Sequence, residues 1–485
     1  MKKPNIVLIM TDQQRRDSLG VYGCGYVSTP NLDRLAQEST VYDHCYCNTP
    51  VCTPSRASVM TGKNITGHGV YNLFDILPQE ERLLPSYLKD QGYDTALIGK
   101  LHVSGIVFER DHRNAGDGFD VYELCHEASI HMDGKFNGYA RWLKEKDPEE
   151  YERVYTEGRK RKFRPASTHF STWVGERSAE YVRERGEKPF FLMSGLFDPH
   201  NPYDHYPQEA ASWLNEDCYE EPVRSEADFD CPEGVKLERE LHGSKTPPTD
   251  QQLHDMRRDY FASISFLDRQ VGKLIDALKE EGIYDDTLIV FTSDHGDMLG
   301  DHYLYTKGSD FYEDCTNVPL LIKYPGQKQM VRSNRLVQLN DLFSTLLQAG
   351  GGDVSIRPES LALQDENERP FAVCEYRGSG KCDDDVFPYP VLATMYRTDK
   401  YKLNMFYDTC ETQLFDMEED PDELHDLSKE PEYLPTVLRL TQEYMRYQAR
   451  EDHRMNAARG GRSETPDFAN VPIRGASPKA ADGKK

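Results

Sequence analysis

Four short, mainly apolar runs constrain this chain most, because each leads to ionisable side chains. Residues 5–10 lead into Thr11-Asp12-Gln13, and residues 94–98 deliver Gly99-Lys100-Leu101-His102. Residues 189–193 deliver Asp198-Pro199-His200; residues 287–291 deliver Ser293-Asp294-His295-Gly296-Asp297, with Lys307 further on. Such runs are the pattern of strands buried on both faces. In open α/β sheets, binding groups collect just beyond the carboxyl ends of the strands. Four runs ending alike predict one pocket at one sheet edge.

Between them, residues 85–91, 170–185 and 252–281 read as helices. The last is the clearest, with Tyr260, Ile264, Leu267, Val271, Leu274 and Leu278 near a 3.6-residue period. Thr29-Pro30 reads as a capped helix start. This βα alternation predicts a layered sheet with helices on both faces. Residues 105–168 and 204–250 are polar and weakly periodic, and read as insertions over the pocket. His126, His131, Arg141 and Trp173 lie in or beside them as candidate substrate contacts. From 371 the pattern changes to strand-like runs at 371–377, 391–398, 401–406 and 411–416, then a helix near 434–450. The expected domains are therefore a large one over 1–370, a small antiparallel α+β unit over 371–450, and a polar tail over 451–485 that a neighbouring subunit would order.

The net charge of −25 argues against nucleic acid as a partner. It leaves room for an anionic substrate where a few arginines and lysines dominate a pocket. No stretch approaches the roughly 18 apolar residues of a membrane span, so no membrane partner is expected. The chain enters its first strand directly, without a secretory pattern. Eleven cysteines without disulfide-like spacing fit a reduced, cytoplasmic setting.

The most specific stretch is Val51-Cys52-Thr53-Pro54-Ser55-Arg56-Ala57-Ser58-Val59-Met60-Thr61-Gly62. Residues 55–61 read as the first turns of a helix, with Pro54 shaping its start. A nucleophile just ahead of it would sit among unpaired N–H groups that favour negative charge. Arg56 adds a rigid fork of donors. Taken alone, Cys52 reads better as a buried cysteine in a loop before an ordinary helix. Asp12, Gln13 and Asp294 form a hard-oxygen set suited to Ca²⁺ or Mg²⁺, and His295 widens the choice toward Mn²⁺ or Zn²⁺.

Cys-x-Pro-Ser-Arg followed by Ala-Ser-x-x-Thr-Gly resembles the signature of the type I sulfatases, in the alkaline phosphatase superfamily. The order of the first strand, Gly-Lys-x-His, Asp-Pro-His, the Asp-His-Gly-Asp block and residues 400–423 is similar to that family too. The resemblance implies an alkaline phosphatase-like α/β fold, a large mixed sheet sandwiched by helices with a smaller C-terminal antiparallel α+β subdomain. It implies that a formylglycine-generating maturation enzyme oxidises Cys52 to Cα-formylglycine, whose hydrate is the nucleophile. One divalent metal, Ca²⁺ with Mg²⁺ or Mn²⁺ as alternatives, would be held by Asp12, Gln13, the modified Cys52, Asp294 and His295. Arg56, Lys100 and Lys307 would supply positive charge, and His200 and Lys307 would protonate or stabilise the leaving alcohol. His102 would take the proton from the second hydroxyl in the later half of the reaction. Lys100, His200, Lys307 and Asn72 would contact substrate, although Asn72 reads nearly as well as a turn asparagine. Asp297 and His302 would support the metal ligands.

The activity so implied is hydrolysis of a sulfate monoester, on a sugar or glycan fragment. Gln13 stands where many members have a second aspartate, and phosphonate monoester hydrolases show the same Asp-Gln. Phosphonate monoester or phosphodiester hydrolysis is therefore the alternative, and a catalytically idle sulfatase-like binding protein is a third reading.

Overall fold

The first apolar run forms β1, Asn5–Thr11, and its side chains alternate between two separate cores. Ile6, Leu8 and Met10 face one core while Val7 and Ile9 face the other. This is what a strand's two-residue period gives when both faces are covered. The computed structural model describes residues 2–242, 248–365, 367–378 and 391–458. Seven further strands join β1: β2 (Thr40–Tyr46), β3 (Asp94–Gly99), β4 (Val121–Leu124), β5 (Phe190–Gly195), β6 (Thr287–Ser293), β7 (Leu320–Lys323) and β8 (Val331–Gln338). Their order is β4-β3-β5-β1-β6-β7-β2-β8.

Only β7 runs against its neighbours β6 and β2; the other pairings are parallel. The four apolar runs are thus the four adjacent strands β3, β5, β1 and β6, and their carboxyl ends line one edge. At Gly99, where β3 ends, φ is +101° and an added Cβ would lie 2.0 Å from the Gly195 carbonyl oxygen. The chain can turn there only because no side chain is present.

One face carries helices Cys52–Thr61, Leu84–Asp90 and Asp341–Ala349, which bury Met60, Leu88 and Leu346. The other carries Pro30–Ala36, Phe170–Glu184 and Asp250–Glu280, which bury Leu32, Trp173 and Leu267. Trp173 is core, not a substrate contact. The segment expected to be a weakly periodic insertion also holds order: β4 extends the sheet, and helices Gly138–Lys146 and Pro148–Glu157 are capped by Asn137 and Asp147.

The expected cap at Thr29 is corrected by the structure. The Thr29 hydroxyl makes no bond to the helix backbone, and sits 3.4 Å from the Asp33 carboxylate. Asp268, on the long helix, accepts the Asn31 N–H at 3.1 Å and the Leu32 N–H at 2.8 Å. Its burial pushes the Asp268 carboxyl up to about 6, against the pull of those donors.

A second sheet, β9 (Ala372–Arg377), β10 (Leu392–Arg397), β11 (Tyr401–Phe406) and β12 (Glu411–Asp416), is antiparallel in the order β12-β11-β10-β9. It joins the large sheet through the Glu375 N–H to the Asn48 carbonyl, 2.9 Å, and the Gln338 amide to the Val373 carbonyl, 2.8 Å. By packing, the chain forms two compact units, Met1–Lys429 with both sheets and Glu430–Lys485. The second contains helix Leu434–Ala458, which runs past the expected end at 450. The rest of the expected tail, 459–485, lies outside the described residues. Among the described residues, no helix is long and apolar enough to cross a membrane.

Asp268→Ala removes the acceptor for two helix-start donors, the buried Leu32 N–H and the half-buried Asn31 N–H. It should lower stability by about 1–3 kcal/mol, read as a shift in the urea midpoint; an unchanged midpoint would mean that water replaces the cap.

Candidate active site

The register of β1 against β6 pairs Thr11 with Ser293, so Asp12 and Asp294 leave their strands side by side. Helix Cys52–Thr61 lies across these ends with all ten residues buried. It begins at Cys52 itself, one turn earlier than the sequence suggested, with Val51 extended before it. Cys52 therefore occupies the first turn, where the backbone N–H groups have no partner within the helix.

Arg56, one turn further on, fastens the helix to both strand ends. Its Nε donates to Asp294 Oδ2 at 2.6 Å, and its Nη2 donates to Asp12 Oδ2 at 3.0 Å and the Thr11 carbonyl at 2.9 Å. Nη1 reaches the Lys100 carbonyl at 3.3 Å. Asp12, Arg56 and Asp294 are all fully buried. Lys100 Nζ lies 2.6 Å from Asp12 Oδ2.

The Cys52 sulfur lies 3.6 Å from Asp12 Oδ1 and 3.2 Å from His295 Nε2. His295 Nδ1 is 2.8 Å from the Gly296 carbonyl. A carbonyl only accepts, so Nδ1 carries the proton and the Nε2 lone pair faces the sulfur. Lys307 donates to Cys52 Sγ at 2.8 Å, Gln13 Oε1 at 2.9 Å and His200 Nε2 at 3.0 Å. His200 Nδ1 in turn donates to the Asn201 carbonyl at 2.6 Å, which leaves Nε2 as the acceptor.

Charge is distributed unevenly over this cluster. Burial alone would raise Asp12, but Lys100 and then Arg56 hold it well below the usual carboxylate range. Burial, and then the Asp12 charge, push the Cys52 thiol up to about 11. His200 is held well below its ordinary value by burial and by Lys307; His102 is lowered by burial and by Lys100. Burial and Lys307 bring His295 down to about 4. Lys307 is raised, because the Cys52, Asp12 and Asp294 charges outweigh the effect of its burial. All three imidazoles are neutral at pH 7, and the lysine is charged.

Most of the sequence-derived residues meet here. Asp12, Cys52, Asp294 and His295 each offer one ligand atom, all within 4.8 Å of one another. Gln13 adopts φ +65°, and its amide nitrogen donates to Asp297 Oδ2 at 2.5 Å. His102 sits beside helix Cys52–Thr61, with Nε2 2.9 Å from the Thr53 hydroxyl. Asn72 lies in a half-buried turn where its side-chain oxygen accepts the Phe74 N–H at 3.1 Å. Asp297 accepts from the Gln13 amide, but His302, expected beside it, does not face the cluster. It pairs with Asp228 at 2.8 Å and stacks on Tyr312, because its left-handed backbone turns the ring toward the 226–229 segment. Two participants escaped the sequence reading: Thr53, next to Cys52 within the motif, and Tyr203, whose hydroxyl donates to Asp297 at 2.6 Å. Both stand inside stretches whose other residues carry the stronger signal.

Two carboxylate oxygens, an imidazole lone pair and the Cys52 position suit a divalent cation of the Ca²⁺, Mg²⁺ or Mn²⁺ kind. Lys100 and Arg56 keep Asp12 ionised, and Arg56 orients both carboxylates.

The family model described as Sulfatase matches residues 4–352. The chain is similar to an arylsulfatase of Clostridium perfringens, 31% identical over 469 residues that cover 89% of this chain and 91% of that protein. It is also similar to an N-acetylglucosamine-6-O-sulfatase of Bacteroides thetaiotaomicron, 25% identical with 89% and 84% covered. Among solved structures, its fold is similar to that of a phosphonate monoester hydrolase from Silicibacter pomeroyi, with TM-score 0.78 and 21% identity over 92% of this chain and 95% of that one.

Removing one candidate ligand at a time gives a direct check on the cluster. Asp12→Asn and His295→Ala should each weaken divalent-metal binding roughly tenfold or more, measured as metal per chain after dialysis against graded chelator. Retention equal to the unsubstituted protein would place the ion elsewhere.

Proposed function

The chain belongs to the sulfatase family and is a sulfuric ester hydrolase; from that premise we propose that it cleaves a sulfate monoester on a sugar or glycan fragment, with a nucleophile made from Cys52. The observation that carries this is the position of the Cys52 side chain, inside the buried donor set and 2.8 Å from Lys307. As a thiol pushed up to about 11, Cys52 is protonated at neutral pH and a weak nucleophile. Oxidation to Cα-formylglycine, as the family signature implies, would supply a hydrated aldehyde at the same place.

Asp12, Asp294 and His295 would hold the divalent cation, with Gln13 beside them. Such an ion supplies Lewis-acid stabilisation of sulfate oxygens and of an attacking hydroxyl. The protein's own groups divide the rest of the work. Lys100 and Lys307 offer positive charge to the sulfate as negative charge shifts toward the leaving oxygen. Lys307 and His200 share one proton at 3.0 Å, and that pair protonates the departing alcohol. Arg56 is buried and directs four of its five donors to Asp12, Asp294 and two carbonyls, so its role is to fix the carboxylates rather than to touch substrate. His102 is neutral and acts as the base in the second half of the reaction. A carbohydrate substrate is supported by the similarity to the N-acetylglucosamine-6-O-sulfatase.

A second reading, phosphonate monoester hydrolysis, is favoured by Gln13. A neutral amide there leaves the site one negative charge fewer than a second aspartate would, and it accepts from Lys307 at 2.9 Å. The deciding experiment compares an aryl sulfate with the matched aryl phosphonate monoester, on protein matured with a formylglycine-generating enzyme. Sulfate turnover should dominate and disappear in Cys52→Ala. Preference for the phosphonate would install the second reading.

A further inference from the structure

Lys100 and His102 sit on a loop that leaves β3, and His102 adopts φ +59°, a left-handed conformation that a residue with a side chain holds only when its surroundings require it. The requirement comes from Glu109, a residue of the segment that read as a polar insertion and is 2% exposed. One carboxylate oxygen accepts the Val103 and Ser104 N–H groups, both at 2.9 Å. The other accepts the His102 N–H at 3.1 Å and lies 2.6 Å from His126 Nε2. Three consecutive N–H groups converging on one carboxylate form an anion nest filled from within the chain. The His126 ring stands edge-on to the His102 ring, with centroids 5.6 Å apart.

The imidazole of His102 is oriented at its other end by Thr53. The Thr53 hydroxyl donates to the Leu73 carbonyl at 3.2 Å, so at 2.9 Å it accepts from His102 Nε2–H. The Nδ1 lone pair is then left over, buried and without a hydrogen-bond partner among the described residues. Thr53 fixes which nitrogen is free, but one bond to a ring tip does not fix the backbone from which the ring projects. Only the Glu109 carboxylate bonds three successive amides of that backbone.

We propose that Glu109 is a positioning residue: its carboxylate locks the loop at His102, so that the imidazole gives Nε2–H to Thr53 and keeps its Nδ1 lone pair ready to take a proton. The inference rests on the base role given to His102 above. Without the carboxylate, the three N–H groups turn to water, φ at residue 102 relaxes, and the ring samples several orientations. His126 completes the lock from the far side of Glu109.

The test uses matured, metal-loaded protein and an aryl sulfate. Glu109→Ala should lower kcat about 100-fold, the usual consequence of misplacing a reacting group by roughly an ångström, while KM changes little. Bound metal and cooperative unfolding should persist. Imidazole nitrogen NMR, with the His102 signals identified by their absence from His102→Gln, should show one Nε2–H tautomer in the unsubstituted protein and averaged signals in Glu109→Ala. Glu109→Gln, which keeps one acceptor oxygen, should fall between. Unchanged kcat and an unchanged His102 tautomer in Glu109→Ala, or in Glu109→Gln if the alanine form does not fold, would overturn the inference. So would loss of bound metal in step with kcat, which would make Glu109 a general packing group. If His102→Gln itself keeps full kcat, the base role fails, and the tautomer signals alone then decide whether Glu109 holds the ring.

Discussion

The buried fork of Arg56 between Asp12 and Asp294 is the interaction on which the site depends. Two carboxylates at neighbouring strand ends repel each other, and burial disfavours charge that has no partner. One guanidinium bonds both, 2.6 Å from one and 3.0 Å from the other, and reaches two carbonyls besides. Removing one partner of such a group usually costs about 3–5 kcal/mol, because an unpaired buried charge remains. The same fork ties helix Cys52–Thr61 to β1 and β6, so Cys52 reaches the carboxylates by construction. Fold and chemistry share this fastening.

Much of this is legible in the chain because its signals are local. Continuous apolar runs mark β1, β3, β5 and β6, and these are the adjacent strands whose ends build the cluster. The polar residues just past β1 and β6, together with the cysteine of the most specific motif, supply Asp12, Cys52, Asp294 and His295, which converge within 4.8 Å. The rest of the sheet is not legible. β7 is only four residues long, and β8 begins exposed and turns inward halfway, so neither shows a clean period. The helix cap is misread for the same reason in reverse: Thr29 has the right chemistry nearby, but Asp268, 237 positions away from Asn31, supplies the bonds.

The site residues show the same limit. His302 follows the Asp294-His295 block in sequence, yet its ring is turned to Asp228 and Tyr312. Proximity along the chain predicts a role only where a strand fixes direction, as for Asp12 and Asp294; past a left-handed residue, direction is lost. Glu109 is invisible in the sequence because its carboxylate recognises backbone amides, which nearly every residue has. A side chain that binds amides leaves no pattern in its partners' identities.

The ammonium of Lys307 has a wider consequence. It has three protons, and Cys52, Gln13 and His200 already accept one each. On the proposed function, an anion docking at this ammonium would displace one of these acceptors, exchanging one hydrogen bond for another without adding to their number. Ground-state affinity for sulfate at this position would then be modest. What changes during reaction is the basicity of the oxygen that the ammonium faces, and the exchanged bond strengthens as charge gathers there. A saturated donor in that role would discriminate by how strongly each acceptor pulls, and would favour the species that exists only at the top of the barrier.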